Sequence, residues 1–386
     1  MKILFYTSGK TGLGHLKRLL RVSSILNNHI SPRYEILLIS GMPFNKNFFQ
    51  SPKCKILVLK DLFFYTSWGQ KLFSKESKNF QSIKQISNKI EMIVNDFHPN
   101  VFITSHLLGI AGELLPVYPI LKSIRCKIFL AWRDIIDDIL MTENINQMLE
   151  EYFDRILVLG TQKTKDYLPI DQLPPKLKKN IFFSGYIYPI EYPKRKYQYL
   201  HKKTPSLSDL KIFCQVGGGF DGEDVAISCI KAVNWISNFC TGINVTLDLS
   251  MGPLMPKNSK KDIMKESNSH IKVFNWVNFS PQKMLKYDLQ ITMAGYNTCV
   301  ESAYFAIPTI MIPRDYPGDQ EQRIRAELFK QLFCNIKVFS STSYKINPSI
   351  FGDVILAHSS LQCNEGFVSS EDIFSDFHKL ENIFFH

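Results

Sequence analysis

The feature that most limits how this 386-residue chain can fold is its alternation of short apolar runs with amphipathic segments. In the first half the runs fall at 2–7, 34–40, 56–59, 101–104, 127–131, 155–159 and 181–184. Helical periodicity fills gaps between them, as at 16–27 and 77–95. Such alternation is how a parallel sheet with crossover helices reads in sequence. The stretch 188–210 breaks the rhythm with Pro, Lys, Tyr and Ser. A second series then follows at 211–215, 243–249, 271–274, 289–292, 309–312 and 336–339. The expected architecture is α/β, with two Rossmann-like domains facing across a cleft. Their bounds are 1–190 and 211–346, with a linker at 191–210. The segment 347–386 is expected to cross back to the first domain through a helix at 371–384. Ligands of such sheets bind outside the carboxyl ends of the strands.

Length supports two domains, since one core rarely grows to this size. No apolar run approaches a membrane span, and the N-terminal Met1-Lys2-Ile3-Leu4-Phe5-Tyr6 reads as a buried strand rather than a leader. The eight cysteines show no C-x-x-C pairing and sit mostly in apolar runs, which favours free thiols in a reducing cytoplasm. The net charge of +11 comes from scattered lysines and arginines. No helix presents a long basic stripe, so nucleic acid is not an expected partner. An anionic substrate, or peripheral contact with an anionic membrane surface, remains open. Residues 62–68 with Lys71 and Lys75 form an aromatic-basic segment that fits either a lipid-facing patch or ordinary core beside solvated lysines.

The stretch 293–326 carries the most chemistry. A strand runs into Gly295-Tyr296-Asn297-Thr298 and then into a helix bearing Glu301. Glycine and small polar residues at such a junction make an anion site, because free backbone N–H groups and the helix dipole point at the ligand. A carboxylate one turn into the helix can take two ribose hydroxyls. After the next strand, Glu321 and Gln322 can take sugar hydroxyls. Phosphate, ribose and hexose binders in this order suggest a nucleotide-sugar site. Upstream, Gly217-Gly218-Gly219 follows a strand and permits close backbone approach of a phosphate or sugar.

At the N-terminus, strand one leads to Ser8-Gly9-Lys10-Thr11-Gly12-Leu13-Gly14-His15. A phosphate-binding P-loop would need glycine at Leu4, and a dinucleotide fingerprint would need glycine at Lys17. What remains is a glycine turn, Gly12 and Gly14, that lets an acceptor or diphosphate approach the backbone and sets His15 at the mouth of a helix. The chemistry leaves two roles for His15: a base that takes a proton from an acceptor hydroxyl, or a ring that only hydrogen-bonds the substrate. His106 is a second residue able to touch the acceptor.

These motifs together resemble the donor-binding signature of GT-B-fold glycosyltransferases. The likeness spans roughly 1–332. It includes the peptidoglycan UDP-N-acetylglucosamine transferase and, more distantly, the plant secondary-product transferases. It is strongest to bacterial glycosyltransferases with an N-terminal Gly-x-Gly-His and a C-terminal Gly-Gly-Tyr-Asn-Thr, for which Ala294 here replaces the first glycine. The resemblance implies that Gly295, Tyr296, Asn297 and Thr298 hold the diphosphate, Glu301 the ribose, and Glu321 and Gln322 the sugar. It also implies that the backbone at Trp276 and Val277 meets the uracil, with Trp276 as a core residue the competing reading. It favours His15 as base. Ser105 stands where an orienting Asp would be expected, which leaves Asp134 as a substitute or as a helix cap. The implied activity is transfer of a sugar from a nucleotide diphosphate to an acceptor hydroxyl, by inversion. The acceptor is a small molecule, a lipid-linked molecule or a glycan. No cofactor and no metal are expected, since no Asp-x-Asp occurs. An epimerase, a hydrolase or a non-catalytic binding protein of the same fold are the alternatives.

Overall fold

The computed structural model describes residues 1–7, 13–27, 34–42, 54–59, 80–109, 111–136, 142–189, 208–278, 280–314, 320–339, 347–359, 373–375 and 377–385. Gly12 and the aromatic-basic segment at 62–75 lie outside them. The chain divides into two compact units, Met1–Ile190 with Glu371–His386, and Glu191–Ser370.

In the first unit, seven parallel strands form one sheet: β1 (Lys2–Thr7), β2 (Glu35–Ser40), β3 (Lys55–Val58), β4 (Val101–Thr104), β5 (Lys127–Arg133), β6 (Arg155–Leu159) and β7 (Ile181–Phe183). Their spatial order is β3-β2-β1-β4-β5-β6-β7. Helices α1 (Leu13–Leu26), α2 (Phe80–Phe97), α3 (Val117–Ser123), α4 (Glu143–Tyr152) and α5 (Pro175–Lys178) lie between them in sequence. Strands β1 and β4 are apolar almost without interruption and buried along their length, because both faces of a parallel sheet are covered.

The second unit repeats the plan with six strands: β8 (Asp209–Gln215), β9 (Asn244–Ser250), β10 (Ile271–Phe274), β11 (Leu289–Thr292), β12 (Thr309–Met311) and β13 (Ile336–Val338). Their order is β10-β9-β8-β11-β12-β13, again all parallel. The helices are α6 (Glu223–Phe239), α7 (Lys257–Lys265), α8 (Pro281–Met284), α9 (Tyr296–Tyr304), α10 (Glu321–Leu332) and α11 (Pro348–Ser359). Each unit has its own apolar core. Helix α11 packs on α6, and Gly352 lies so close to Trp235 that an added Cβ would come within 2.4 Å of the indole. The second unit therefore extends past residue 346.

The chain returns to the first unit at its end. Phe374 forms a bridge with Tyr186, whose N–H donates to the carbonyl of Ile373 at 2.8 Å. Helix α12 (Phe377–Phe385) follows. Phe384 stacks on Phe129 with centroids 5.8 Å apart, and Arg155 donates to the carbonyl of Ile383.

In both sheets the strand order reverses beside the first strand, between β1 and β4 and between β8 and β11. Neighbouring connections diverge there and leave a crevice at the carboxyl edge, where open α/β sheets take ligands. The topology thus fixes where each unit can hold chemistry.

Candidate active site

In the second unit, β8 and β11 end on the two motifs read from the sequence. After β8, the glycine loop splits in function. Gly219 (φ 87°) and Gly252 (φ 88°) are left-handed and packed loop against loop: a Cβ on Gly219 would lie 2.1 Å from the carbonyl oxygen of Met251, and one on Gly252 would lie 2.6 Å from the carbonyl of Gly218. The N–H of Leu254 also donates to that carbonyl at 2.8 Å. Gly218 and Gly219 are therefore engaged by the turn after β9. Gly217 is different, since nothing lies within 4 Å of its added Cβ. A side chain's worth of space is therefore open beside Gly217, though its carbonyl also faces Gly252, whose added Cβ would lie 2.7 Å from it.

After β11, Gly295 caps α9 in extended conformation, and a Cβ there also meets open space. The backbone at the start of α9 is thus open to approach at Gly295. Glu301 lies one turn beyond Asn297 and is 1 % exposed. A carboxylate buried this deeply on the helix is not a solvated surface charge.

Two arginines that sequence reasoning passed over organise this edge. Arg325 on α10 is fully buried. Its Nη2 donates to Glu321 Oε1 at 2.7 Å, its Nη1 donates to the Ala294 carbonyl at 3.1 Å, and its guanidinium lies 5.9 Å from the Tyr296 ring centroid. Arg314, just after β12, pairs through Nη1 with Asp221 Oδ2 at 2.7 Å. Its backbone N–H donates to Gln322 Oε1 at 3.0 Å. Of the two residues expected to face a sugar, Glu321 uses one oxygen on Arg325 of its own helix, and Gln322 uses its oxygen to hold the loop after β12. A basic residue one turn past Glu321 was the available signal for the first pair.

At the end of β10 the Val277 N–H donates to Ser250 Oγ at 3.0 Å, so that donor is used within the protein. Trp276 is half-buried and its indole donates to Asn278 Oδ1 at 2.7 Å. It stands apart from the buried core of this unit.

In the first unit the switch point brings together His15, on the first turn of α1, and His106, just after β4. Their ring centroids are 4.6 Å apart at 35°. The His106 loop is fixed from below. Its N–H donates to Thr104 Oγ1 at 3.0 Å, and Thr104 Oγ1 donates to the His106 carbonyl at 2.7 Å. Buried Glu113 anchors the same connection, accepting from the Tyr6 hydroxyl and from the Ala111 N–H. Burial and the Glu113 charge push the Tyr6 phenol well up.

Arg18 Nη2 sits 3.1 Å from His15 Nδ1. Burial, then Arg18, His106 and Arg133, hold His15 well below its ordinary value. His106 falls to about 3, through burial and then Arg18 and Arg133. Both rings are neutral at physiological pH. The side chain at His15 Nδ1 is thus a guanidinium, and not the carboxylate of Asp134. Asp134 is fully buried at the end of β5 and packs beneath Gly160, whose added Cβ would lie 2.8 Å from the Asp134 Cβ. Nor does Asp134 cap the next described helix, because Thr142 caps α4 and accepts from the Ile145 N–H. Ser105 Oγ lies 3.5 Å from Thr7 Oγ1.

Among the described residues, no three His, Cys, Asp or Glu side chains are grouped to hold a metal ion. No described helix is long and apolar enough to cross a membrane. The seven described cysteines form no disulfide.

Comparison with known proteins agrees with this geometry. Residues 213–347, about a third of the chain, match the Glycosyltransferase family 28 C-terminal domain. No curated protein sequence matches the chain. Among solved structures it is similar to MurG of Acinetobacter baumannii, at 11% identity and a TM-score of 0.54 over 93% of this chain and 94% of that one. It is similar to Anabaena Alr3699/HepE in complex with UDP and glucose, at 11% identity and 0.54 over 99% and 97%. It is also similar to UDP-GlcNAc 2-epimerase from Methanocaldococcus jannaschii, at 13% identity and 0.52 over 100% and 98%. The chain has the two-domain GT-B fold seen in MurG and other glycosyltransferases, and the stretch of its second unit at 213–347 is similar to the glycosyltransferase family 28 C-terminal domain.

Proposed function

We propose that this protein transfers a sugar from a UDP-linked donor to an acceptor, with inversion and without a metal. The second unit holds the donor, with the diphosphate on the α9 terminus at Gly295 to Thr298 and the ribose on Glu301. The uracil lies against the backbone at Trp276 and Val277. Glu321 and Gln322 lie toward the hexose, held by Arg325 and Arg314. The first unit receives the acceptor at His15 and His106. One observation carries the reading: an approachable helix terminus and a buried carboxylate one turn into that helix, at the switch point of a sheet whose sequence matches a glycosyltransferase domain.

The chemistry asked of this edge is charge stabilisation. The oxygen of an acceptor hydroxyl attacks the anomeric carbon, its proton passes to a basic group on the acceptor, the bond to the diphosphate breaks, and the electron pair of that bond leaves on a phosphate oxygen. Backbone N–H groups and the α9 dipole stabilise that charge where it develops.

A second reading, epimerisation or hydrolysis of the donor, is favoured by the likeness to an epimerase of the same fold. Incubation of the protein with UDP-sugars in EDTA, with and without a panel of acceptors and analysed by mass, separates the two. Acceptor-dependent transfer is expected. A changed or hydrolysed sugar without acceptor, or a strict need for added Mg²⁺ or Mn²⁺, overturns the proposal.

A further inference from the structure

We propose that Arg18 holds His15 in the tautomer protonated at Nε2, so that His15 is a hydrogen-bond donor to an oxyanion on the acceptor and not the base that removes its proton. The part concerning the acceptor rests on the transferase reading; the tautomer does not.

The argument begins with what a guanidinium can do. It has five N–H groups and no acceptor atom, and it stays charged at every pH a protein survives. At 3.1 Å from Arg18 Nη2, the His15 Nδ1 must therefore be the acceptor. A neutral imidazole carries one proton, so that proton is on Nε2. A catalytic base needs the reverse arrangement. Its Nδ1–H is held by a carboxylate or carbonyl, which leaves Nε2 bare to take a proton and then stabilises the imidazolium. Here the partner is positive and disfavours the imidazolium.

Among the described residues, the groups that act on His15 point the same way. Arg18 lies on the same helix, His106 follows β4, and Arg133 ends β5. Arg18 is 6 % exposed and one turn along α1, a spacing at which helix side chains meet, so the contact is built into the helix and not left to a mobile surface arm. An Nε2–H in the field of Arg18 and Arg133 suits a carboxylate or phosphate oxygen.

The test is ¹⁵N NMR of protein labelled at histidine, with the His15 signals identified by their loss in His15→Gln. Wild type is expected to show His15 bare at Nδ1, protonated at Nε2, and titrating well below its ordinary value. Arg18→Met should raise its pKa and release the tautomer, and Arg18→Lys, which restores a charged donor, should return it toward wild type. Addition of inorganic phosphate or of acetate should shift the His15 Nε2 signal in wild type. Which of the two acts at lower concentration tells a phosphate-bearing acceptor from a carboxylate. A wild-type ring protonated at Nδ1, or one that titrates near 6.5, overturns the proposal without requiring any activity. A ring of the expected tautomer that neither anion perturbs overturns the oxyanion assignment alone. The wild-type spectrum decides the tautomer even where Arg18→Met does not fold.

Discussion

The two units share one topology and put opposite electrostatics at its switch point. In the second unit the positive charges are matched: Arg325 to Glu321, Arg314 to Asp221. The Arg314 pair ties the loop after β12 to the glycine loop after β8, while the Arg325 pair lies within α10 and leaves Arg325 Nη1 to reach the Ala294 carbonyl. In the first unit two guanidiniums act on two neutral imidazoles, and the contact at His15 is a guanidinium. The same crevice can thus be a preorganised cradle or a proton-poor, positively biased edge. Which it becomes depends on the few side chains that reach it, and not on the fold.

The comparison breaks most sharply at Arg325. Its removal leaves the partly buried Glu321 carboxylate and the Ala294 carbonyl without this partner. Arg325→Met is expected to destabilise the protein by about 3–5 kcal/mol, the usual cost of breaking a buried pair from one side. Urea denaturation followed by tryptophan fluorescence measures it. A loss under about 1 kcal/mol, within the range of exposed pairs, would show that the matched charges do not hold the donor edge.

Glu301 sharpens the functional side of the cradle. Glu301→Ala should weaken UDP binding by more than about 1.5 kcal/mol, as for a hydrogen bond to a charged group, which is roughly a tenfold loss of affinity. Calorimetry on the folded variant decides it, and unchanged affinity would remove Glu301 from the ribose.

The third test, smallest per pH unit, probes the first unit through pH. His106 titrates at about 3 in the folded protein and near its ordinary value of about 6.5 when unfolded. Between these values the unfolded chain binds a proton that the folded one refuses. The folded state therefore keeps its full stability above about pH 6.5 and loses it as pH falls toward 3, by up to about 1.4 kcal/mol per pH unit from this ring. His106→Gln should flatten that slope. An identical slope in wild type and variant would mean that the ring is not held neutral.

Much of this was legible before the fold was seen, because it is local. Strand runs such as Lys2–Thr7 and Leu289–Thr292 are set by which residues can be buried on both faces of a sheet. The Gly295-to-Glu301 motif is one strand-to-helix junction, so its chemistry sits in a contiguous stretch. The Arg18 contact is local too, since a residue three positions along a helix is a neighbour; the expected partner of His15 was a carboxylate after a strand, whereas Arg18 lies on the helix itself. Asp134 was chosen by its place at a strand end, yet position along the chain does not say which way a buried side chain turns.

The sequence by itself determined the two α/β series, the junctions where ligands can sit and the residue types at the donor edge, because these follow from periodicity and local backbone chemistry. Only the tertiary structure decided that His15 meets His106, that Arg133 rather than Asp134 acts on them, and that Arg325 closes on Ala294. Those contacts join residues far apart in sequence, and the order of strands in the sheet, with the rotamers that close packing allows, selects them.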